Sequence, residues 1–249
     1  MNGGAGVPDY DYDGIYDDVW LFSETTDWGV PPTGWQDDSS VGSSPDSGYW
    51  VTPCEDTSCL QIKTGGGTWD RVRVRTISGD YETGRYQWRV YVPPNEEDYP
   101  SSAIGAFLYS SNNARQIGFE IGYGTEDQRD AYGIESGELM CYMTVDDGSG
   151  MDWPKDPIAL DPECWYRLQI VLTANDEDKY VVSWKLKSEF LEFPKEGEDD
   201  CTYTCDYGPS DTAFHIECSV ENFENLWIGD NQPTLDKEAY FDYVFFTAQ

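Results

Sequence analysis

The stretch ARQIGFEIGYGT, residues 114–125, alternates apolar with polar or small side chains at a period of two. Residues two apart along a strand share one face of a sheet. One face therefore holds the apolar side chains Ile117, Phe119 and Ile121. Gln116, Gly118 and Glu120 fall on the other face. We predict a β-strand whose apolar face lies in the core and whose polar face is either a wetted surface or the floor of a cleft.

Similar short runs recur along the chain between polar turns. Examples are RVRVRTI at 71–77, GRYQWRVYVP at 84–93, WYRLQIVLT at 165–173 and YFDYVFFT at 240–247. No segment keeps a helical period over three turns, and the 10 Trp, 18 Tyr and 10 Phe favour strands. We predict an all-β protein, either a two-sheet sandwich or a barrel. Residues 1–48 are expected to form an irregular acidic N-terminal segment packed on a single domain, 49–249.

The chain carries 48 acidic residues against 15 Lys and Arg, a formal net charge of −33. Such a charge repels phosphate backbones and anionic lipid, which disfavours nucleic acid and membrane surfaces as partners. No apolar run approaches the length of a membrane span, so membrane insertion is not expected. Two explanations of the charge stay open: a solvated surface that maintains solubility, or a calcium-rich or saline extracellular setting.

Seven cysteines include two pairs that are close in sequence, Cys54 with Cys59 and Cys201 with Cys205. Both pairs lie in polar stretches, so we predict local disulfides and an oxidising compartment. A four-cysteine zinc site is the alternative, which these spacings fit poorly, and the pairing of the other cysteines stays open. The N-terminus lacks the regions of a signal peptide, so a secreted or cell-surface location implies a mature chain.

Composition also narrows the catalytic chemistry. His215 is the only histidine. A Ser-His-Asp or Cys-His catalytic site is therefore possible only if His215 itself is the base, and a metal site with several histidines is excluded. It lies in an alternating stretch, TAFHIECSV at 212–220, where we expect a structural role. No glycine-rich phosphate-binding motif is present, so nucleotide binding has no support.

The run QIGFEIGYG, residues 116–124, resembles the active-site strand of glycoside hydrolase family 16, whose signature is E-x-D-x-E. Strand-like runs on either side are also similar, over roughly residues 58–247. The resemblance implies a concanavalin A-like jelly roll of two antiparallel sheets. It places Gln116 at the nucleophile, Gly118 at the middle Asp and Glu120 at the acid/base. Because retaining hydrolysis needs two carboxyl groups about 5 Å apart, the motif is degenerate, and Glu120 is catalytic only if another acid assists it.

A concave sheet lined by aromatic rings and amides suits sugars, since pyranose C–H faces pack on rings and polar groups take the hydroxyls. The candidate ligand-binding residues are Trp69, Arg73, Arg85, Arg115, Gln116, Glu120, Tyr123 and Trp153. For each of the tryptophans, a place in the core is the alternative.

Calcium has two separate indications. The run DYDYDGIYDD follows the start of an EF-hand-type loop, and its candidate ligands are Asp9, Asp11, Asp13 and Asp17. Trp20 stands where such a loop ends in Glu, so a solvated acidic tail is the alternative. The resemblance to family 16 implies a structural calcium at Asp242, for which an ordinary edge-strand position is the alternative.

The expected function is that of a non-catalytic, lectin-like protein whose partner is a polysaccharide or another glycan. One alternative is an active glycoside hydrolase or polysaccharide lyase that uses Glu120 with a loop acid or Tyr123. Another is a structural or adhesive surface protein without a sugar site. The uncharged amide of Gln116 at the nucleophile position favours the first.

Overall fold

A computed structural model describes residues 16–40, 44–54, 57–94, 100–110, 115–146, 150–153, 156–188, 201–204 and 210–249, with the backbone alone for 201–204. These residues form one short helix, α1 (Glu126–Tyr132), and sixteen strands. The strands are β1 (Asp18–Trp20), β2 (Trp35–Asp37), β3 (Gly48–Cys54), β4 (Thr57–Thr64), β5 (Arg71–Thr76), β6 (Gly84–Val92), β7 (Ser102–Ser110), β8 (Arg115–Gly122), β9 (Leu139–Asp146), β10 (Met151–Asp152), β11 (Ile158–Leu160), β12 (Cys164–Ala174), β13 (Tyr180–Ser188), β14 (Cys201–Thr204), β15 (His215–Asn222) and β16 (Lys237–Ala248).

The strands form two sheets, and every pairing between these named strands is antiparallel. The first sheet has the order β14-β13-β12-β6-β16-β4-β3, with β1 added beside β16. The second has the order β10-β9-β8-β7-β15-β5-β2, with β11 added beside β9. Strands far apart in sequence, such as β6 and β16, are neighbours. The predicted all-β sandwich of two antiparallel sheets is thereby confirmed.

The apolar core lies between the two sheets, as the alternation predicts. Ile117, Phe119 and Ile121 of β8 are buried there together with alternate residues of the first sheet, such as Trp88. Removing this apolar surface from water is the main stabilising contribution to the fold. Among the hydrogen bonds that join the two sheets, the indole Nε1 of Trp184 on β13 donates to the carbonyl oxygen of Gly118 at 3.1 Å. It fixes β8 against the opposite sheet at the centre of the motif.

The N-terminal segment contributes to both sheets. β1 pairs with β16 in the first sheet, and β2 pairs with β5 in the second. The carboxylate of Asp17 accepts a hydrogen bond from the backbone N–H of Ala248 at 2.7 Å, which attaches the segment to the last strand. Strands β1 and β2 of this segment are therefore part of the sandwich, which extends to residues before Tyr49.

Helix α1 lies where the sequence patterns indicate only an acidic loop. Thr125 and Gln128 form a reciprocal capping box at its start, which satisfies backbone N–H groups that a helix leaves unpaired. Gly133 ends it in the left-handed conformation, with φ 67°. The helix spans seven residues, too short for a hydrophobic period to reveal it.

The predicted disulfide between Cys54 and Cys59 is confirmed. The side chain of Cys201 and all of Cys205 lie outside the described residues, so that pairing stays a prediction. Cys141 and Cys218 are buried thiols in the core. Across the described segments, no helix has the length and apolar character needed to span a bilayer.

Candidate functional site

Strand β8 presents the motif residues on the outer side of the second sheet, away from the core. Gln116 is half-buried, whereas Glu120 is 1% exposed. The amide Nε2 of Gln116 donates a hydrogen bond to Oε1 of Glu120 at 3.3 Å. The only carboxyl group of the degenerate motif is therefore buried, and its neighbour on the strand is an amide.

Glu120 lies between Gly105 of β7 and Tyr142 of β9, its direct cross-strand partners. On the far side of β7, Ser219 of β15 is the partner of Gly105. Because β15 places residues two apart on the same face, Glu217 and Glu221 join Ser219 on this outer side. We call Glu120, Glu217 and Glu221 the carboxyl cluster.

The aromatic ring of Phe107 lies on the outer side of the sheet between these acids. Phe107 is the cross-strand partner of Gly118 and is 3% exposed. A Cβ atom on Gly118 would lie 2.2 Å from Cδ1 of Phe107, and one on Gly105 would lie 2.1 Å from its Cε2. Both positions require glycine because the ring rests directly on their backbone. The Phe107 ring therefore lies between Glu120 and the two acids of β15.

Arg73 of β5 joins the two acids of β15. Its guanidinium lies 2.8 Å from Oε2 of Glu221 and 3.5 Å from Oε1 of Glu217. Arg71 approaches Glu221 from the solvent side at 3.6 Å. Burial alone would lower the pKa of Arg73, but the negative charge of the neighbouring acids, chiefly that of Glu221, holds that pKa above its ordinary range. Arg73 therefore stays cationic and fixes both acids in place.

Two acids of the carboxyl cluster hold their protons at neutral pH. Burial, reinforced by the negative charge of Glu221, raises the pKa of Glu120 to about 8, although Arg73 acts in the opposite direction. Burial also raises the pKa of Glu217 to about 8, again opposed by Arg73. At pH 7 these two side chains are mostly neutral carboxylic acids, which both donate and accept hydrogen bonds.

Several polar atoms on this face are buried without a hydrogen-bond partner among the described residues. They are Oε2 of Glu120, Oε2 of Glu217, Oγ of Ser219 and Oγ1 of Thr144. Thr144 of β9 is the cross-strand partner of Gly118, so all four side chains belong to the same patch of the sheet. Buried polar groups in proteins are almost always paired. The patch therefore has unused hydrogen-bonding capacity.

Aromatic rings lie beside the carboxyl cluster. We call them the aromatic group: Tyr142, Trp153, Phe223 and Trp227. Trp153 stacks on Trp227 with ring centroids 5.9 Å apart and an angle of 22° between the planes. Tyr142 lies 6.1 Å from Trp153 and 5.7 Å from Trp227, and Phe223 lies 5.4 Å from Trp227. Trp153 is 45% exposed, so the group has a solvent-exposed indole at one end, while its Tyr142 is the cross-strand partner of Glu120.

Helix α1 holds the loop that carries Trp227. Gln128 donates a hydrogen bond from Nε2 to the carbonyl oxygen of Trp227 at 3.0 Å, while its Oε1 accepts one from Thr125 in the capping box. The N–H of Glu126 also donates to the carboxylate of Asp230 at 2.7 Å. The chain that follows β8 therefore positions a ring of the aromatic group.

The structure brings together four of the predicted ligand-binding residues on this outer face. They are Arg73, Gln116, Glu120 and Trp153.

The other four predicted ligand-binding residues do not lie on this face next to the carboxyl cluster. Arg85 belongs to the first sheet, where its guanidinium lies 5.5 Å from the ring of Tyr16. Trp69 is exposed in the loop before β5, and within the described part of the chain it contacts no ring of the aromatic group.

Arg115 and Tyr123 lie towards the core side of β8. Arg115 shares the side of Ile117 and donates a hydrogen bond to Oγ1 of Thr212 at 3.0 Å. The ring of Tyr123 packs under the guanidinium of Arg129 at 4.1 Å. It lines a cavity of about 590 Å³ at the end of the sandwich. Tyr123 therefore does not share a face with Glu120, and a lyase pairing of these two side chains has no geometric support.

The candidate calcium ligands have separate positions. Asp9, Asp11 and Asp13 lie outside the described residues, and Asp17 holds β16 as described above. The carboxylate of Asp242, 2% exposed, lies 2.7 Å from Nη1 of Arg89 and accepts a hydrogen bond from Thr57. Over the described ranges, no cluster of three or more His, Cys, Asp or Glu has the arrangement of a metal site. Arg89 supplies the positive charge next to Asp242.

The sequence patterns do not single out Glu217, Glu221 and Trp227. The first two occur in HIECSVEN, residues 215–222, where acids at an interval of four mark one face of a strand. That interval is the available signal, but acidic residues are common throughout this chain. Nδ1 of His215, in the same run, lies 2.8 Å from the carbonyl oxygen of Thr76, an interaction with the backbone of β5.

No protein-family model and no curated protein sequence matches this chain. Its fold is similar to that of solved glycan-acting proteins along almost their whole length. LamAcat from Zobellia galactanivorans is 12% identical, with a TM-score of 0.58 over 95% of this chain and 99% of that one. A GH16 protein of a Bacteroides ovatus mixed-linkage glucan locus, in complex with a product, is 11% identical (TM-score 0.58, 92% and 99% covered). The catalytic domain of an endo-1,3-β-glucanase from Thermotoga petrophila is 14% identical (TM-score 0.54, 93% and 96% covered). At these identities the similarity shows the fold, and it confirms the family 16-like jelly roll.

Proposed function

We propose, from the fold shared with the family 16 glycoside hydrolases, that this chain binds a glycan without cleaving it. The binding surface is the outer face of the second sheet, where the aromatic group adjoins the carboxyl cluster. The ligand is a neutral polysaccharide or oligosaccharide, because the face offers flat rings and uncharged donors and acceptors rather than excess charge of one sign.

The observation that carries this proposal is the stack of Trp153 on Trp227 beside the buried polar patch. Trp153 is the most exposed ring of the group, and an exposed aromatic patch rimmed by polar side chains is typical of a binding site. An indole face packs well against the C–H face of a sugar. Gln116, half-buried next to Glu120, offers an amide to the hydroxyl groups of the same sugar.

Several features favour binding over cleavage. Gln116 has no carboxylate with which to attack a glycosidic carbon. Glu120 is 1% exposed and lies beside the ring of Phe107, so it does not reach a leaving-group oxygen held in solvent. Glu221 is engaged by the guanidinium of Arg73 at 2.8 Å, so its carboxylate oxygen is occupied by an ion pair rather than directed at a water molecule.

A hydrolase is the second candidate, and one observation favours it. Glu120 carries its proton at pH 7 because its pKa is raised to about 8, and the charge of Glu221 contributes to that shift. A protonated acid and a charged carboxylate on one face of a sheet are what an inverting glycosidase needs. This candidate requires Phe107 to move when the substrate binds.

Affinity electrophoresis and calorimetry against laminarin, mixed-linkage glucan and mucin oligosaccharides test the proposal, with reducing ends measured in parallel. We expect Trp153→Ala to weaken binding at least about tenfold, a loss of about 1.4 kcal/mol, with no new reducing ends. Trp69→Ala is the matched control, since it removes an exposed indole outside the aromatic group. Turnover that Glu120→Gln abolishes would establish the hydrolase instead, and absence of binding to every glycan would favour a structural or adhesive role.

We also propose that the protein acts outside the cytosol, secreted or at the cell surface. The disulfide between Cys54 and Cys59 supports this location, because such bonds persist in oxidising compartments. Calcium binding by the N-terminal acids stays a prediction. A melting temperature that is equal in calcium and in a chelator would contradict it.

A further inference from the structure

The two sheets leave a cavity of about 590 Å³ between them at one end of the sandwich. Its floor consists of core side chains of the second sheet, each 7% exposed or less: Ile104, Ile121, Leu139 and Val220. The volume is within the range of about 300 to 1,000 Å³ that is typical of small-molecule sites. Because these side chains point to the core side of their strands, the cavity is separate from the outer face that carries the aromatic group.

Ser102 faces this cavity from the start of β7. It precedes Ile104 by two residues, and Ile104, Ala106 and Leu108 are core residues, so Ser102 lies on the core side of the strand. It is 8% exposed, and among the described residues its hydroxyl has no hydrogen-bond partner. Buried hydroxyl groups in proteins are usually paired. A ligand with one hydrogen-bonding group would supply the missing partner.

Residues of the first sheet line the opposite wall without filling the cavity. Pro94 and Lys237 continue the core rows of β6 and β16, two residues after Val92 and two before Ala239. Leu235, in the loop before β16, forms a further wall and is 45% exposed, so this wall is accessible from solvent. Apolar side chains that line an open space lose contacts they would make in a packed core. An apolar ligand that fills the cavity restores those contacts.

The charged side chains among the lining residues already have partners. Nζ of Lys63 lies 2.5 Å from Oδ2 of Asp236. The carboxylate of Glu238 accepts a hydrogen bond from the amide of Gln61 at 2.7 Å, and Lys237 also interacts with a neighbour. A buried ligand charge without a partner would be costly, and an anion would also be repelled by a chain with a net charge of −33. The cavity therefore favours an uncharged ligand.

We propose that this cavity binds an uncharged, mainly apolar small molecule that carries one hydroxyl or carbonyl group, such as an alkylated phenol. Its apolar body packs against Ile104, Leu139 and Leu235, and its polar group forms a hydrogen bond with the hydroxyl of Ser102. A sugar fits less well, because most of its hydroxyl groups would lose water against the apolar floor. The site lies between the sheets, so it does not rest on the proposed glycan-binding function of the outer face.

The test is calorimetric titration of the full chain with four probes: para-ethylphenol, ethylbenzene, para-ethylbenzoate and glucose. We expect para-ethylphenol to bind, ethylbenzene to bind more weakly, and the other two not to bind. Leu235→Asp places a charge on the exposed wall and should weaken para-ethylphenol binding at least about tenfold, a loss of about 1.4 kcal/mol. Ile77→Asp is the matched control and should leave binding unchanged, because Ile77 is 61% exposed and follows β5 at the opposite end of the sandwich.

Ser102→Ala tests the polar contact. It should abolish the preference for para-ethylphenol over ethylbenzene while ethylbenzene still binds, a result that a general loss of structure would not give. Leu235→Asn is the second wall variant if melting temperatures show that Leu235→Asp does not fold.

Trp153→Ala should leave para-ethylphenol binding intact, so the cavity and the glycan surface fail separately. The proposal is overturned if neither neutral aromatic probe binds or if para-ethylbenzoate binds as tightly as para-ethylphenol. It is also overturned if Ile77→Asp weakens binding as much as the wall variants do, or if Ser102→Ala keeps the preference for the phenol.

Discussion

The amide of Gln116 donates its hydrogen bond to Oε1 of Glu120 across 3.3 Å, joining the two positions at which the family 16 signature has its nucleophile and its acid/base. Two carboxylates at these positions would repel each other, and both would need solvent or a partner. An amide removes one of the charges and supplies a donor to the remaining acid. The replacement therefore lets Glu120 be buried and hydrogen-bonded without a second charge beside it, while burial is what keeps it protonated.

The first prediction concerns the pH dependence of stability. The unfolded Glu120 carboxyl has the ordinary pKa of 4.5, whereas burial raises the folded pKa to about 8. Between these values the unfolded state binds fewer protons than the folded state, so Glu120 lowers stability as the pH rises. We expect Glu120→Gln to raise the free energy of unfolding by about 2 to 4 kcal/mol at pH 8 and to change it little at pH 4.5.

Urea unfolding at the two pH values measures this difference. Glu224→Gln is the matched control, because Glu224 is an exposed acid on the loop after β15. It should have no effect at either pH. A stability change for Glu120→Gln that is equal at pH 4.5 and pH 8 would show that Glu120 is already ionised in the folded protein.

The second prediction tests the contact between Phe107 and Gly118. A Cβ on Gly118 would approach Cδ1 of Phe107 to 2.2 Å, so Gly118→Ala should destabilise by about 1 to 3 kcal/mol through overpacking. Phe107→Ala should cost about 3 to 5 kcal/mol through the cavity it leaves. In the double variant the added methyl group enters that cavity. The double change should therefore cost less than the sum of the single changes, which denaturant titration of all four proteins measures; additive costs would contradict the contact.

The alternation of apolar residues carries most of the fold, because a period of two specifies which side of a strand is buried. It does not specify which strands become neighbours. Arg73 and Arg85 occur in runs with the same alternation, yet one lies on the second sheet and the other on the first. The pairing of β7 with β15 joins residues more than a hundred positions apart. That pairing alone brings Glu217 and Glu221 towards Glu120.

Burial of polar side chains is the other property that the sequence patterns miss. Glu120 has the same chemistry whether solvent or Phe107 covers it, and only the packing decides its protonation. Calcium at Asp242 stays a prediction by resemblance, and the sequence pattern does not show that Arg89, which is distant in sequence, lies 2.7 Å from this carboxylate in the fold. The local disulfide between Cys54 and Cys59 is predictable because both partners lie in one short stretch.

The third prediction separates buried from exposed ion pairs on the second sheet. Glu221 is 2% exposed and lies 2.8 Å from Arg73, so Glu221→Ala leaves a mostly buried guanidinium without its nearest partner. We expect a loss of about 3 to 5 kcal/mol. Asp38→Ala breaks the more exposed pair with Arg75 and should cost about 1 kcal/mol or less. Urea unfolding of both variants gives the comparison, and similar losses would mean that burial does not govern these pairs.

The fourth prediction concerns Gln128, which has two hydrogen-bonding roles at opposite ends of one amide. Its Oε1 accepts a hydrogen bond from Thr125 in the capping box, and its Nε2 donates one to the carbonyl oxygen of Trp227. Gln128→Glu keeps the acceptor, and a carboxylate at this position of a helix is favourable for the cap and the helix dipole. It removes the donor and places a charged oxygen next to the Trp227 carbonyl. We therefore expect the melting temperature to change little while the Trp227 loop shifts.

Near-ultraviolet circular dichroism reports that shift, since the stacked rings of Trp153 and Trp227 give a signal that depends on their relative orientation. Thr125→Ala is the complementary control. It removes the helix cap and should lower the free energy of unfolding by about 1 kcal/mol, while the hydrogen bond from Gln128 to the Trp227 carbonyl stays in place. If the aromatic group binds glycan, Gln128→Glu also weakens that binding although it alters no ring. An unchanged spectrum in Gln128→Glu would show that Trp227 is held by its packing against Tyr142 and Phe223, and that helix α1 does not position the aromatic group.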